Sequence, residues 1–128
     1  KKKRSILDNN AMSDYNRSRL IAAINKFNQK DYFECHEILE DLWFDVRDSS
    51  RDLYQGLLHI AVGFYHLTKK NNFKGTIIQL TKAEEKLGKF PGVIHGIDLV
   101  KLLKQVSSIK KRLIKKEVPK RLPKIEIQ

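Results

Sequence analysis

Residues 51–69 read Arg51-Asp52-Leu53-Tyr54-Gln55-Gly56-Leu57-Leu58-His59-Ile60-Ala61-Val62-Gly63-Phe64-Tyr65-His66-Leu67-Thr68-Lys69, and this stretch decides the fold. Its apolar residues fall on nearly every side of a helix. A surface helix keeps one face polar, so a helix that is apolar almost all round belongs in the middle of a helical core. Gly56 and Gly63 are seven apart and share one stripe. There they would let a neighbouring helix approach closely, at a propensity cost of ~1 kcal/mol each.

The flanking sequence supplies helices to pack around this one. Ser13 or Asp14 caps a first helix to about Asn28, with Leu20, Ile21, Ile24 and Phe27 at helical spacing. Asp31 followed by Glu34 starts a second helix that runs to about Arg47. Asp48-Ser49-Ser50 breaks it, and Asn71-Asn72 ends the central helix with residues that tolerate a left-handed cap. A fourth helix fits 73–87, Phe90-Pro91-Gly92 is a turn, and Asp98 caps a fifth helix with Leu99, Leu102, Val106, Ile109 and Leu113 inward. No convincing strand appears. The expected fold class is all-α, a compact bundle of about five helices around a central buried helix. It should occupy residues 13–116, between a flexible basic segment at 1–12 and a basic tail at 117–128, where Pro119 and Pro123 end helical order.

The net charge of +11 on 128 residues invites a polyanion partner. Its distribution qualifies that reading. Residues 1–4 are all basic, and residues 101–128 hold ten basic residues against only Glu117 and Glu126. The stretch between is close to neutral. Lysine outnumbers arginine, which argues against base-specific readout by guanidinium forks. Weak nucleic-acid binding through the basic termini is the partner expectation that remains. The lone Cys35 excludes an internal disulfide and suits a reducing compartment. No apolar run approaches the ~20 residues of a membrane span. The expected location is cytoplasmic, or the plastid stroma for an organellar chain.

Several polar residues stand where a core should be apolar. On a helical wheel His36, Glu40 and Arg47 fall among Tyr32, Phe33, Leu39 and Trp43, within about 60° of His36. On the central helix Gln55, His59, Val62 and His66 lie within about 40° of one another. An antiparallel turn near Ser49-Ser50 would set Glu40 opposite His59, His36 opposite Gly63, Phe33 opposite His66, and Arg47 opposite Asp52. His36, Glu40 and His59 would then form a set of two imidazoles and a carboxylate with open positions, suited to a divalent metal such as Zn or Fe. Trp43, Gln55, His66 and Arg47 would line or support the site. The alternative is a hydrogen-bonded network that fixes helix register and does nothing else. Cys35 reads as a small packed residue, and His95, after a turn, as a loop or surface residue.

Phe33-Glu34-Cys35-His36-Glu37-Ile38-Leu39-Glu40-Asp41-Leu42-Trp43 and Tyr54-Gln55-Gly56-Leu57-Leu58-His59-Ile60-Ala61-Val62-Gly63-Phe64-Tyr65-His66-Leu67 together resemble a small helical family, domain of unknown function number three hundred and nine. The resemblance covers roughly residues 27–103. Its hallmark H-x-x-x-E-x-x-W/Y is met by His36, Glu40 and Trp43. It implies a compact helical bundle and a motif suspected of holding metal, without a reaction. Three functional expectations follow: a metal- or small-molecule-binding domain with its site between helices two and three, a nucleic-acid-associated module using Lys-rich termini, or a structural domain with a buried polar network. An enzymatic role stays open, and self-association is a further expectation that the sequence does not locate.

Overall fold

A computed structural model describes residues 12–128; the Lys1–Arg4 cluster and most of the segment expected to be flexible lie outside it. Five helices follow in order: α1 (Asp14–Asn28), α2 (Tyr32–Asp45), α3 (Arg51–Lys70), α4 (Phe73–Leu87) and α5 (Leu99–Ile114). Side-chain caps set four of their starts by accepting backbone N–H bonds that the first turn leaves open. Ser13 accepts from Asn16, Asp31 from Glu34, Asn72 from Gly75, and Asp98 from Lys101. Asn71 closes α3 in the left-handed conformation, at φ 49°.

The architecture is the expected all-α bundle, with α3 in its centre between α2 and α4. Leu53, Leu57, Ile60, Ala61 and Phe64 of α3 are wholly or almost wholly buried. The two glycines of α3 face α4. A Cβ at Gly56 would stand 2.5 Å from the Leu87 side chain, and one at Gly63 would stand 3.3 Å from the Cβ of Gln79. The hydroxyl of Thr76 donates to the Gly63 carbonyl across this seam at 2.8 Å. In α1 the inward set is Leu20, Ala23, Ile24 and Phe27, while Ile21 lies at the surface.

Strand structure is minimal but present, which the sequence reading did not anticipate. Val93–Ile94 pairs antiparallel with Ile97–Asp98. The two residues between, His95 and Gly96, both have positive φ, 51° and 82°. That pattern suits a two-residue hairpin loop whose twist matches its strands, normally built from Asn-Gly. His95 is buried here rather than at the surface. Its Nε2 is hydrogen-bonded to the buried Ser50 hydroxyl at 3.0 Å, and its carbonyl accepts from Arg17 at 2.6 Å. Ser50 therefore gives its side chain to the hairpin and makes no cap bond to α3. Tyr54 hydrogen-bonds Ser50 as well, and burial, with the nearby Asp48 charge, pushes its phenol up to about 12.

Residues 117–128, read as a basic tail, lie packed against the bundle. After α5 the chain turns through Lys116 at φ 63° and runs back along the helix. Pro123 and Ile125 are buried. Asn28 holds Ile125 at both backbone groups, donating to its carbonyl at 2.9 Å and accepting from its N–H at 2.8 Å. Gln128 donates to Gly96 at 3.0 Å, and Ile127 bridges Ile97. The segment is a strap across α1, the hairpin and α5.

Candidate functional site

The buried residues of α2 are Tyr32, Cys35, Leu39 and Leu42, and Val46 just beyond its end. Their mean direction lies about 80° around the helix from His36. The face expected to pack inward is therefore rotated toward the surface. Aromatic Phe33 and Trp43 drew the expected face toward His36, but it is the plain aliphatic row and Cys35 that fill the interface. Burial pushes the Cys35 thiol up to about 12, consistent with a packed, unreactive residue.

Glu40 consequently needs no buried partner, since its side chain is 55% exposed. His36 sits above it, one helical turn away, with Nε2 4.0 Å from a Glu40 carboxylate oxygen. His59 does not join them. It is half-buried, and its Nδ1 is hydrogen-bonded to the Gln79 amide oxygen of α4 at 2.8 Å. The expected facing of Glu40 and His59 thus gives way to an α3–α4 contact. Among the described residues no group of three His, Cys, Asp or Glu side chains is placed to hold a metal ion. The residues present do not fit the three-ligand centre expected from His36, Glu40 and His59.

The supporting residues scatter similarly. Arg47 lies exposed beyond the end of α2. Its expected partner Asp52 instead meets Lys89 at 2.8 Å and Lys86 at 3.6 Å, and the Lys89 hydrogen bond is the main cause holding the Asp52 carboxyl below its usual range. Trp43 is half-buried under Arg51, whose guanidinium lies 4.6 Å from the ring centre and whose Nε donates to the Trp43 carbonyl at 3.1 Å. Gln55 and His66 are half-buried, and Nδ1 of His66 is enclosed without a hydrogen-bond partner. The polar stripe of α3 thus follows its less covered side and does not meet α2's polar residues in one buried interface.

What α2 and α3 do build together is a small apolar hollow. Phe33, His36, Val62 and Tyr65 line about 160 Å³. The Phe33 ring stacks obliquely on His36 at 5.9 Å and on Tyr65 at 5.8 Å. Phe33 remains 51% exposed, an aromatic left at the surface beside an open cavity. Phe33 and Tyr65 also wall a second depression, with Lys30, Thr68 and Lys69 on its far side. Phe33 falls on the face of α2 that the sequence assigns to packing; what separates it from the core is its displacement from the Tyr32–Cys35–Leu39–Leu42 row, while Val62 and Tyr65 are half-buried on α3.

His59 titrates against this structure. Burial lowers its pKa, the Gln79 hydrogen bond opposes that, and Lys82 and Lys86 add to the lowering. The unfolded chain therefore binds the proton more tightly. His59's contribution to stability is full above the ordinary histidine range and is lost as pH falls through the lowered folded value. Urea midpoints measured from pH 7.5 to pH 5 should fall less steeply for His59→Gln than for the parent. Parallel curves would show that His59 is not responsible.

No helix among the described residues is long and apolar enough to cross a membrane. Residues 20–79 match the family described as Domain of unknown function (DUF309). The chain is also similar to the uncharacterized protein YpuF of Bacillus subtilis (strain 168), 34% identical over 83 residues that cover 60% of this chain and 47% of the relative. It thus spans about half the length of the curated relative it matches. The family match takes in His36, Glu40, Trp43 and the whole hollow, and it stops short of α5 and the strap. The matched region is helical, running from within α1 into α4.

Proposed function

We propose that the domain binds a small organic ligand, or the side chain of a partner, at the hollow between α2 and α3. The observation that carries this reading is the half-exposed Phe33 ring set against His36 and Tyr65 over a cavity of about 160 Å³. An apolar cavity of roughly 150 Å³ holds a benzene-sized group. The guest is therefore a single ring or a branched aliphatic group. Glu40, one helical turn beyond His36, supplies a carboxylate 4.0 Å from its ring, and exposed Glu37 on the same helix adds to a field that favours a cationic head. The ligand class is an aryl- or alkyl-amine, the guest group buried and the ammonium toward Glu40.

Amide NMR spectra of the full chain titrated with phenethylamine test it. Saturable shifts at Phe33, His36, Val62 and Tyr65 are expected, with affinity weakened by about two- to fivefold in Glu40→Gln, as befits loss of one exposed charge pair. Shifts scattered over the surface, or equal affinity for phenethylamine in Val62→Trp, which fills the cavity, would overturn the reading.

A further inference from the structure

A further hollow lies elsewhere, between α5 and the strap. It encloses about 530 Å³, within the range of pockets that take a whole small molecule. Its existence follows from how the strap is fastened. One end is fixed at the turn through Lys116, the other by Asn28 on Ile125 and by Gln128 on Gly96. The stretch between, 119–124, spans the side of α5 carrying Gln105, Ser108 and Arg112, without filling the gap.

The lining is chemically one-sided. Arg112, Lys120, Arg121 and Lys124 border the cavity, and no carboxylate does. Arg112 has a loose partner in Glu117 at 3.7 Å, both well exposed. Among the described residues Lys120, Arg121 and Lys124 form no ion pair. Four like charges around one concavity raise a positive potential that only an anion relieves. Arginine and lysine together also suit phosphate oxygens, the first as a planar fork and the second as a point charge. Beneath them, Ile109 and Leu122 give an apolar wall, Ser108 a hydroxyl, and Gln105 a buried amide oxygen without a hydrogen-bond partner.

We infer that this strap-covered hollow is a binding site for a phosphate-bearing ligand of nucleotide size. The phosphates would meet Arg112, Lys120 and Lys124, and the less polar part of the ligand would lie against Ile109 and Leu122. Phosphate of this kind comes from a free nucleotide or from a nucleotide within a single strand. The site stands apart from the α2–α3 hollow and does not depend on it.

The test titrates the full chain, followed by amide NMR, with pyrophosphate, ATP and a uridine octamer. Saturable shifts are expected at Ser108, Arg112, Lys120, Arg121, Leu122 and Lys124 with ATP, and weaker ones with pyrophosphate. A double substitution, Lys120→Gln with Lys124→Gln, should weaken ATP binding by about tenfold or more, as loss of two charge-assisted contacts predicts. The charge-matched control, Lys70→Gln with Lys82→Gln, should leave it within about twofold if the site and not net charge decides. A tighter octamer with shifts running beyond the hollow identifies a strand as the source. An octamer no tighter than ATP identifies a free nucleotide. Equal losses in both double variants, or no saturable shift in the hollow with any probe, would overturn the inference.

Discussion

Phe64→Ala is expected to cost about 3–5 kcal/mol, a large part of the stability of a domain this size. Phe64 is completely buried on the central helix. Its ring meets Phe27 of α1 at 5.9 Å and Tyr32 of α2 at 5.6 Å, and those two rings meet edge-on at 5.3 Å. Removing this ring takes a partner from α1 and from α2 at once, and the helical backbone cannot close the space. The urea midpoint should drop with little change in slope, because the same surface is still exposed on unfolding. Phe33→Ala, one residue from Tyr32 but half-exposed, should cost under about 1 kcal/mol. Comparable losses in the two variants would mean that the aromatic triad is not the centre of the core. The triad also bears on binding. Phe33 follows Tyr32 and Tyr65 follows Phe64, so the rings that anchor α2 to α3 inside set the spacing of the rings that wall the hollow outside. Phe64→Leu should retain the fold and loosen phenethylamine binding.

The helices were legible from their apolar residues, and α1, α2 and α5 also carry a local start signal. Asp31 and Asp98 cap as their sequence context suggests, and Leu99, Leu102, Val106, Ile109 and Leu113 are the buried row of α5. The rotation of α2 was not legible. Its aromatic residues and its aliphatic row point in different directions, and only packing against α1 and α3 decides between them. That 80° turn is what moves Glu40 to the surface and leaves His59 to Gln79. The α3 stripe of Gln55, His59 and His66 exists as read; what it faces is a tertiary fact that no spacing within one helix contains. His95 and the strap were missed for another reason. Their partners, Ser50 and Asn28, lie 45 and 97 residues away, and short polar contacts at such separations leave no periodic trace. The available signal was His95-Gly96 between apolar residues, a two-residue turn with an unusual first member.

Deleting residues 118–128 is expected to cost about 2–4 kcal/mol, where a solvated tail would cost nothing. The strap buries Ile125 and Pro123, and both hydrogen-bonding groups of the Asn28 side chain would lose their partners. Arg17 spans the hairpin and the strap, bonding the carbonyls of His95 and Gln128, so the deletion also slackens the hairpin that fixes Ser50. Against these stand the conformational freedom that the strap regains on release and the mutual repulsion of its cations, which is why the net figure is below the sum of its contacts. Thermal melts of the parent, the deletion and Asn28→Ala separate the contributions. Asn28→Ala alone should cost about 1–3 kcal/mol by leaving the Ile125 backbone unpaired. In the deleted chain the same substitution should cost little more, because its partner is already gone. Additive losses would show that Asn28 acts through α1 and not through the strap, and an unchanged melting temperature on deletion would show that the segment is held by nothing. The strap is the one element whose sequence reads as disordered by charge and proline yet whose apolar residues, Leu122, Ile125 and Ile127, are spaced to reach the bundle from an extended chain. Four apolar or prolyl contacts and a bidentate asparagine outweigh a charge pattern that would keep a free segment in solvent, and they do so by holding that charge over α5.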